Sequence, residues 1–197
     1  MCSDRLWISG GFWLLLGWFA LLNGWGMLFV VLGAAALHEL GHVLVLRLAG
    51  ASIRRLRLTV CGAAMETDAD RLPYGWELAA VLAGPGTNLL WGLGLLAVGR
   101  PWCRVSAGAH LVLCAFNLLP LRPLDGGRAL LLLSSWLLGP RRGEGLTRLV
   151  GGCTGLLCSG GLLWLMEETG GNLWLLPGAA GLLAAAGREW RGTGDFL

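Results

Sequence analysis

The 197-residue chain contains no lysine and one tyrosine, and only 14% of its residues are charged. A soluble domain carries about 25% charged residues, so this scarcity excludes an ordinary water-soluble fold. The six cysteines show neither C-x-x-C nor H-x-C spacing. That excludes a zinc ribbon or a dithiol redox motif, and they read as small apolar side chains. The first apolar segment lacks an A-x-A-like site and runs straight into another, so no cleavable signal peptide is expected.

What the chain has instead is uncharged length. Hydrophobic residues make up 55%, and the mean hydropathy is +0.66. Leu6–Leu37 is free of charge for 32 residues, interrupted by the turn-like Asn23-Gly24. Leu78–Gly99, Val105–Leu121, Leu149–Met166 and Thr169–Gly187 give uncharged runs of 22, 17, 18 and 19 residues. A membrane-spanning helix needs roughly 17 to 25. Six spans are predicted, near 6–22, 25–47, 75–99, 104–121, 148–166 and 170–187. The 12 residues of Ala129–Pro140 are too few to span and predict a re-entrant or interfacial helix. With no repeat or low-complexity linker, residues 1–197 read as a single all-α polytopic membrane domain, with tryptophan often near the span ends.

Arginine sets the orientation. With an inside N-terminus, thirteen arginines are cytoplasmic, and only Arg100 and Arg104 lie outside. This asymmetry is the positive-inside pattern. It predicts a multi-pass cell-membrane protein with both termini cytoplasmic. The net charge of +3 then reflects topology, and no nucleic-acid partner is implied. Between the second and third spans, "RLRLTV" (Arg55–Val60) alternates polar and apolar residues. That is strand periodicity. With Gly62 as a turn and Ala63–Thr67 returning, a short membrane-associated β-ribbon is expected, an irregular loop being the alternative.

Within the second predicted span stands His38-Glu39-Leu40-Gly41-His42, an H-E-x-x-H motif. Residues four apart share a helix face, so two imidazoles can grip one metal ion beside a carboxylate able to take a proton. Polar groups at mid-membrane cost up to a few kcal/mol each, which makes them functional candidates by default. The competing reading is an interhelical hydrogen-bond cluster. A catalytic zinc site needs a third protein ligand. Among the twelve acidic residues, Asp125 stands apart, just beyond the fourth span, where Pro120 and Pro123 interrupt the helix and two glycines follow. Glycine permits the close or left-handed backbone that would turn a carboxylate back toward the membrane. Alone, an Asp-Gly pair would be an ordinary turn.

These motifs resemble those of the site-2 proteases, a family of intramembrane zinc metalloproteases. Their pattern is H-E-x-x-H in one helix and N-x-x-P…L-D-G in a later one. Here the second is matched by Asn117, Pro120, Leu124, Asp125 and Gly126, and Ala83–Asn88 ("AGPGTN") looks like the segment between. The likeness covers roughly residues 25–140. It implies that His38, His42 and Asp125 bind one zinc ion and that Glu39 is the general base and acid. Asn88 and Asn117 would hold or orient the substrate backbone, structural stitching of helices being the alternative. The substrate would be a membrane-tethered or transmembrane protein, cut in regulated intramembrane proteolysis. Length makes the chain most like the compact sporulation branch that processes the sigma-K precursor, which implies membrane inhibitor proteins and homo-oligomers as partners. The CBS domain that often completes that branch is not among the 197 residues, which weakens the sporulation assignment.

Depth gives a separate estimate. His38 lies nine residues from Arg47, roughly 13 Å at 1.5 Å per residue, and Asn88 lies at a comparable level from Glu77. The site should open to the cytoplasmic half of the bilayer. His110, Cys114 and Asn117 share one helix face, with His110 too far outward for the metal and expected to hydrogen-bond in the interior. Arg122 and Arg128 should snorkel or pair with Asp125. A helical substrate hides its amides, so local unwinding and strand addition to the ribbon edge is the expected mode of presentation. Two other functions compete. An inactive relative would bind membrane proteins without cutting them. A zinc transporter would need ligands along a transmembrane path, and beyond His110 the outer half offers almost none.

Overall fold

The computed structural model describes residues 6–59, 62–67, 72–122, 124–171 and 175–191. Arg5, Val60, Arg71 and Pro123, each used in the sequence reading, lie outside the described residues. The chain forms two compact units, Met1–Ala115 and Phe116–Leu197. Three helices among the described residues are long and apolar enough to cross a membrane.

The first unit begins with strand β1 (Leu6–Ile8), then helix α1 (Gly10–Leu48). The predicted span from residue 6 therefore starts later than expected. Ser9 accepts a hydrogen bond from the Phe12 N–H at 3.2 Å and caps the helix. The residues before this cap run extended as a strand. Gly24, with φ 81° and ψ 158°, breaks α1 beside the turn-like Asn23. Residues 10–23 then rise only about 21 Å, and residues 25–48 about 36 Å, against a hydrocarbon core of about 30 Å.

Strands β2 (Ile53–Thr59) and β3 (Gly62–Thr67) follow. They pair antiparallel, from Thr59 opposite Gly62 to Ile53 opposite Thr67, with a register shift between Ile53 and Arg55. Gly62 therefore opens β3 instead of forming the turn. β1 pairs parallel with β2, Leu6 opposite Leu56 and Ile8 opposite Leu58, in the order β1-β2-β3. β2 is thus central. The strands left at the sheet's edges are β1 and β3.

Helix α2 (Tyr74–Val98) packs on α1 through small residues. A Cβ at Gly41 would overlap Thr87 and sit 2.6 Å from the Ala83 carbonyl oxygen. Glycine at 41 is what lets the two backbones approach. Helix α3 (Pro101–Asn117) completes the unit, with Leu111 against Gly92. Large apolar side chains point outward, including Leu14, Leu21 and Leu90. That inverts the soluble pattern, as a lipid-facing surface requires.

The second unit holds helices α4 (Asp125–Leu138), α5 (Pro140–Glu168) and α6 (Leu175–Arg191). Gly143, Thr147, Gly151, Gly155 and Ser159 recur every four residues along α5 and are all buried. This small-residue stripe lets α4 and α6 lie close. Hydroxyls stitch the contacts. Thr147 donates to the Gly143 carbonyl at 2.9 Å, Ser134 to the same carbonyl at 3.1 Å, and Ser159 to the Ala179 carbonyl at 3.0 Å.

Candidate metal centre

His38 and His42 sit one helical turn apart on α1, both buried. Their Nε2 atoms are 3.1 Å apart. Two nitrogens bound to a tetrahedral zinc at 2.0–2.1 Å would stand roughly 3.3 Å apart, so the pair is spaced as two ligands of one ion. The far side of each ring is held. His42 Nδ1 lies 2.8 Å from the Ala80 carbonyl oxygen, which can only accept. Nδ1 therefore carries the ring proton, and Nε2 keeps its lone pair for a metal.

Helix α2 meets these imidazoles at Gly84. A Cβ there would overlap Nε2 of His42 and stand 2.8 Å from Nε2 of His38. Pro85 follows, buried inside the helix, and supplies no N–H to the ladder. Asn88, one turn further on, is fully buried. Its Nδ2 amide nitrogen donates to His38 Nδ1 at 3.1 Å, and its Oδ1 accepts from Nδ1 of His110 at 2.9 Å. Both ends of Asn88 are thus engaged by imidazoles. His110 is buried and hydrogen-bonded, as its helix face predicted.

In the second unit Asp125 is the first residue of α4, after the extended Leu124. The two glycines behind it act by close approach, since neither has a positive φ. A Cβ at Gly126 would overlap the Leu118 carbonyl, and one at Gly127 would overlap Leu121. The first turn of α4 is therefore pressed onto the 118–122 backbone, which fixes where Asp125 starts. One ligand atom from each of His38, His42 and Asp125 falls within 4.8 Å of the others, a group that could hold a metal ion. Glu39 and Asn117 are half-buried.

Arg122 does not snorkel. Its guanidinium is 2.8 Å from Glu189 on α6 and 3.5 Å from Glu144 on α5, and Arg148 joins Glu144 at 2.7 Å. Burial pushes the Glu189 carboxyl up, and the charge of Arg122 opposes this. These pairs tie the segment preceding Asp125 to both neighbouring helices. Three features of the site and its support carried no sequence signal that was used: the Gly84 contact, the Asn88–His110 pair and the buried Glu189.

No protein-family model matches the chain. It is 37% identical over 117 residues to a protein of Methanocaldococcus jannaschii named as a zinc metalloprotease, covering 54% of this chain and 34% of that one. It is 32% identical over 119 residues to Rip3 of Mycobacterium tuberculosis, named as a candidate zinc metalloprotease, covering 54% and 30%. The chain thus spans about a third of the length of the curated relatives it matches. The solved structure of a site-2 protease from Methanocaldococcus jannaschii superposes with a TM-score of 0.68 at 23% identity, over 96% of this chain and 92% of that one. That likeness establishes a common fold.

Proposed function

We propose that the chain is an intramembrane zinc metalloprotease of the site-2 type, acting as one membrane-embedded domain. The observation that carries this reading is the pair of Nε2 atoms at 3.1 Å with an Asp125 oxygen in the same group. Two imidazoles and a carboxylate suit zinc, leaving a coordination position for chemistry. Zinc, when bound, supplies a Lewis acid that polarises the scissile carbonyl and acidifies water.

The remaining steps belong to the protein. Glu39 adjoins His38 in the same turn; its carboxylate takes the proton of the attacking water and returns it to the leaving amine nitrogen. Asn117, at the end of α3, orients the substrate backbone. The substrate is a membrane-tethered or transmembrane protein, cut from the cytoplasmic half of the bilayer, with both termini of the enzyme cytoplasmic. It is presented as an extended strand added to an edge of the sheet. Because β1 already pairs with β2, that edge is β1 or β3. Processing of a sporulation sigma-factor precursor, under membrane inhibitors, is the narrower form of this proposal and rests on the motif resemblance.

The deciding experiment is co-expression with a membrane-tethered reporter substrate. Glu39→Gln should abolish cleavage while purified protein keeps its zinc. Equal cleavage by both forms, or metal flux without proteolysis, would overturn the assignment.

A further inference from the structure

Glu189 lies in the last turn of α6, a helix that carries no member of the metal-ligand group found among the described residues. It is nevertheless only 5% exposed, and its Oε2 faces the Arg122 Nε at 2.8 Å. Arg122 stands three residues before Asp125, and the backbone around that interval is closed tightly. The Leu124 N–H donates to the Leu121 carbonyl at 2.8 Å, and the Arg128 N–H to the Leu124 carbonyl at 3.2 Å. Leu121 itself is 1% exposed. The first turn of α4 therefore cannot shift without carrying residues 121 and 122 with it. The same segment meets α5 and α6. A Cβ at Gly151 would stand 3.0 Å from the Pro120 carbonyl oxygen and 3.6 Å from the Glu189 carboxyl carbon, so Pro120 and Glu189 come together over the bare backbone of α5. A Cβ at Gly152 would overlap the Trp190 indole, which seats the end of α6 at that level. Glu189 is thus carried on a fixed base and reaches the segment through one ion pair. All of these residues belong to the second unit.

We infer that Glu189 is a positioning residue for the metal centre, acting through Arg122 on the segment that presents the Asp125 carboxylate. This rests on the proposed metal site and deepens it by bringing α6 into its support. A buried ion pair adds little net stability over an apolar pair of the same volume, because desolvation of both charges offsets their attraction. What it adds is one preferred distance and direction, here between the end of α6 and the turn before Asp125. Ligands need holding to within about 0.5 Å of the productive geometry. Glu144 cannot take over this task. It is 44% exposed and stands 3.5 Å from Arg122, while Arg148 already holds it at 2.7 Å.

The test measures Co²⁺ affinity of the full chain in detergent by chelator competition. The Co²⁺ visible spectrum reports coordination geometry, and thermal unfolding reports stability. Glu189→Leu should lower both stability and affinity, the affinity about tenfold. Arg122→Met combined with Glu189→Leu strands no charge and keeps the volume, so stability should return toward the parent's. Affinity should stay about tenfold low and the spectrum altered, because an apolar contact sets no direction. A merely structural role predicts the opposite, affinity recovering together with stability. That recovery, or parent-like affinity and spectrum in folded Glu189→Leu, overturns the proposal. Should Glu189→Leu not fold, the apolar pair decides alone. Asp125→Ala serves as the separate control. If it binds Co²⁺ as the parent does, the metal assignment itself has failed.

Discussion

Gly84 lies so close to His42 that a single methyl group at position 84 would occupy the space of the imidazole Nε2. Two residues away, Gly86 has nothing within 4 Å of where its Cβ would be. The same substitution should therefore have opposite effects at the two positions. Gly84→Ala should remove bound zinc and all cleavage, measured by metal analysis of purified protein. Gly86→Ala should retain the metal and gain about 0.5–1 kcal/mol from the better helix former. Equal metal content in both variants would show that α2 does not bear on the imidazoles as described.

Gly127 offers a test from the side of the carboxylate. Its Cβ would collide with the Leu121 backbone and come within 2.6 Å of the Arg122 nitrogen. Backbone cannot move aside as a flexible side chain can, so Gly127→Ala should lift the start of α4 and displace Asp125. Zinc affinity should fall at least tenfold, in line with the sensitivity of metal sites to their supporting groups. Titration against a chelator checks it, and parent-like affinity would count against Asp125 as a ligand.

The Arg122–Glu189 pair predicts stability. Arg122→Gln leaves the 5%-exposed Glu189 without the cation at 2.8 Å. Breaking a buried pair by removing one partner costs about 3–5 kcal/mol. The double variant Arg122→Gln, Glu189→Gln should recover much of that loss, because no charge is then stranded. Thermal unfolding in detergent measures both. A single variant as stable as the parent would mean that the carboxylate is neutralised some other way.

Metal removal should also be visible in the protein itself. If zinc binds only the folded chain, saturation at a hundred times Kd stabilises it by about 2.7 kcal/mol. A chelator should lower the unfolding temperature, and added zinc should restore it. His38→Ala should show neither response.

Much of the centre was legible as sequence because H-E-x-x-H is local: the four-residue spacing alone puts His38 and His42 on one face. The small residues that let helices reach the site were not legible. Gly41 and Gly84 matter only because α1 and α2 cross where they do, and no periodicity within one helix reports on its neighbour. The strand at Leu6–Ile8 was missed for the same reason. Its partners, Leu56 to Leu58, lie fifty residues away, while its own composition fits the start of an apolar span. The burial of Glu189 was not legible either, because its partner is a guanidinium contributed by another element. The glycines after Asp125 were expected to serve by proximity or by a left-handed turn, and proximity is what the backbone uses.

The two histidines of the centre are anchored by unlike means. His42 leans on a main-chain oxygen at Ala80, which every amino acid at that position would still provide. His38 leans on a side chain, which inheritance can alter one codon at a time. Drift could therefore retune the grip on the ion through one imidazole while the other stays constant, and differences in metal preference among relatives should trace to position 88 before any change reaches the ligands.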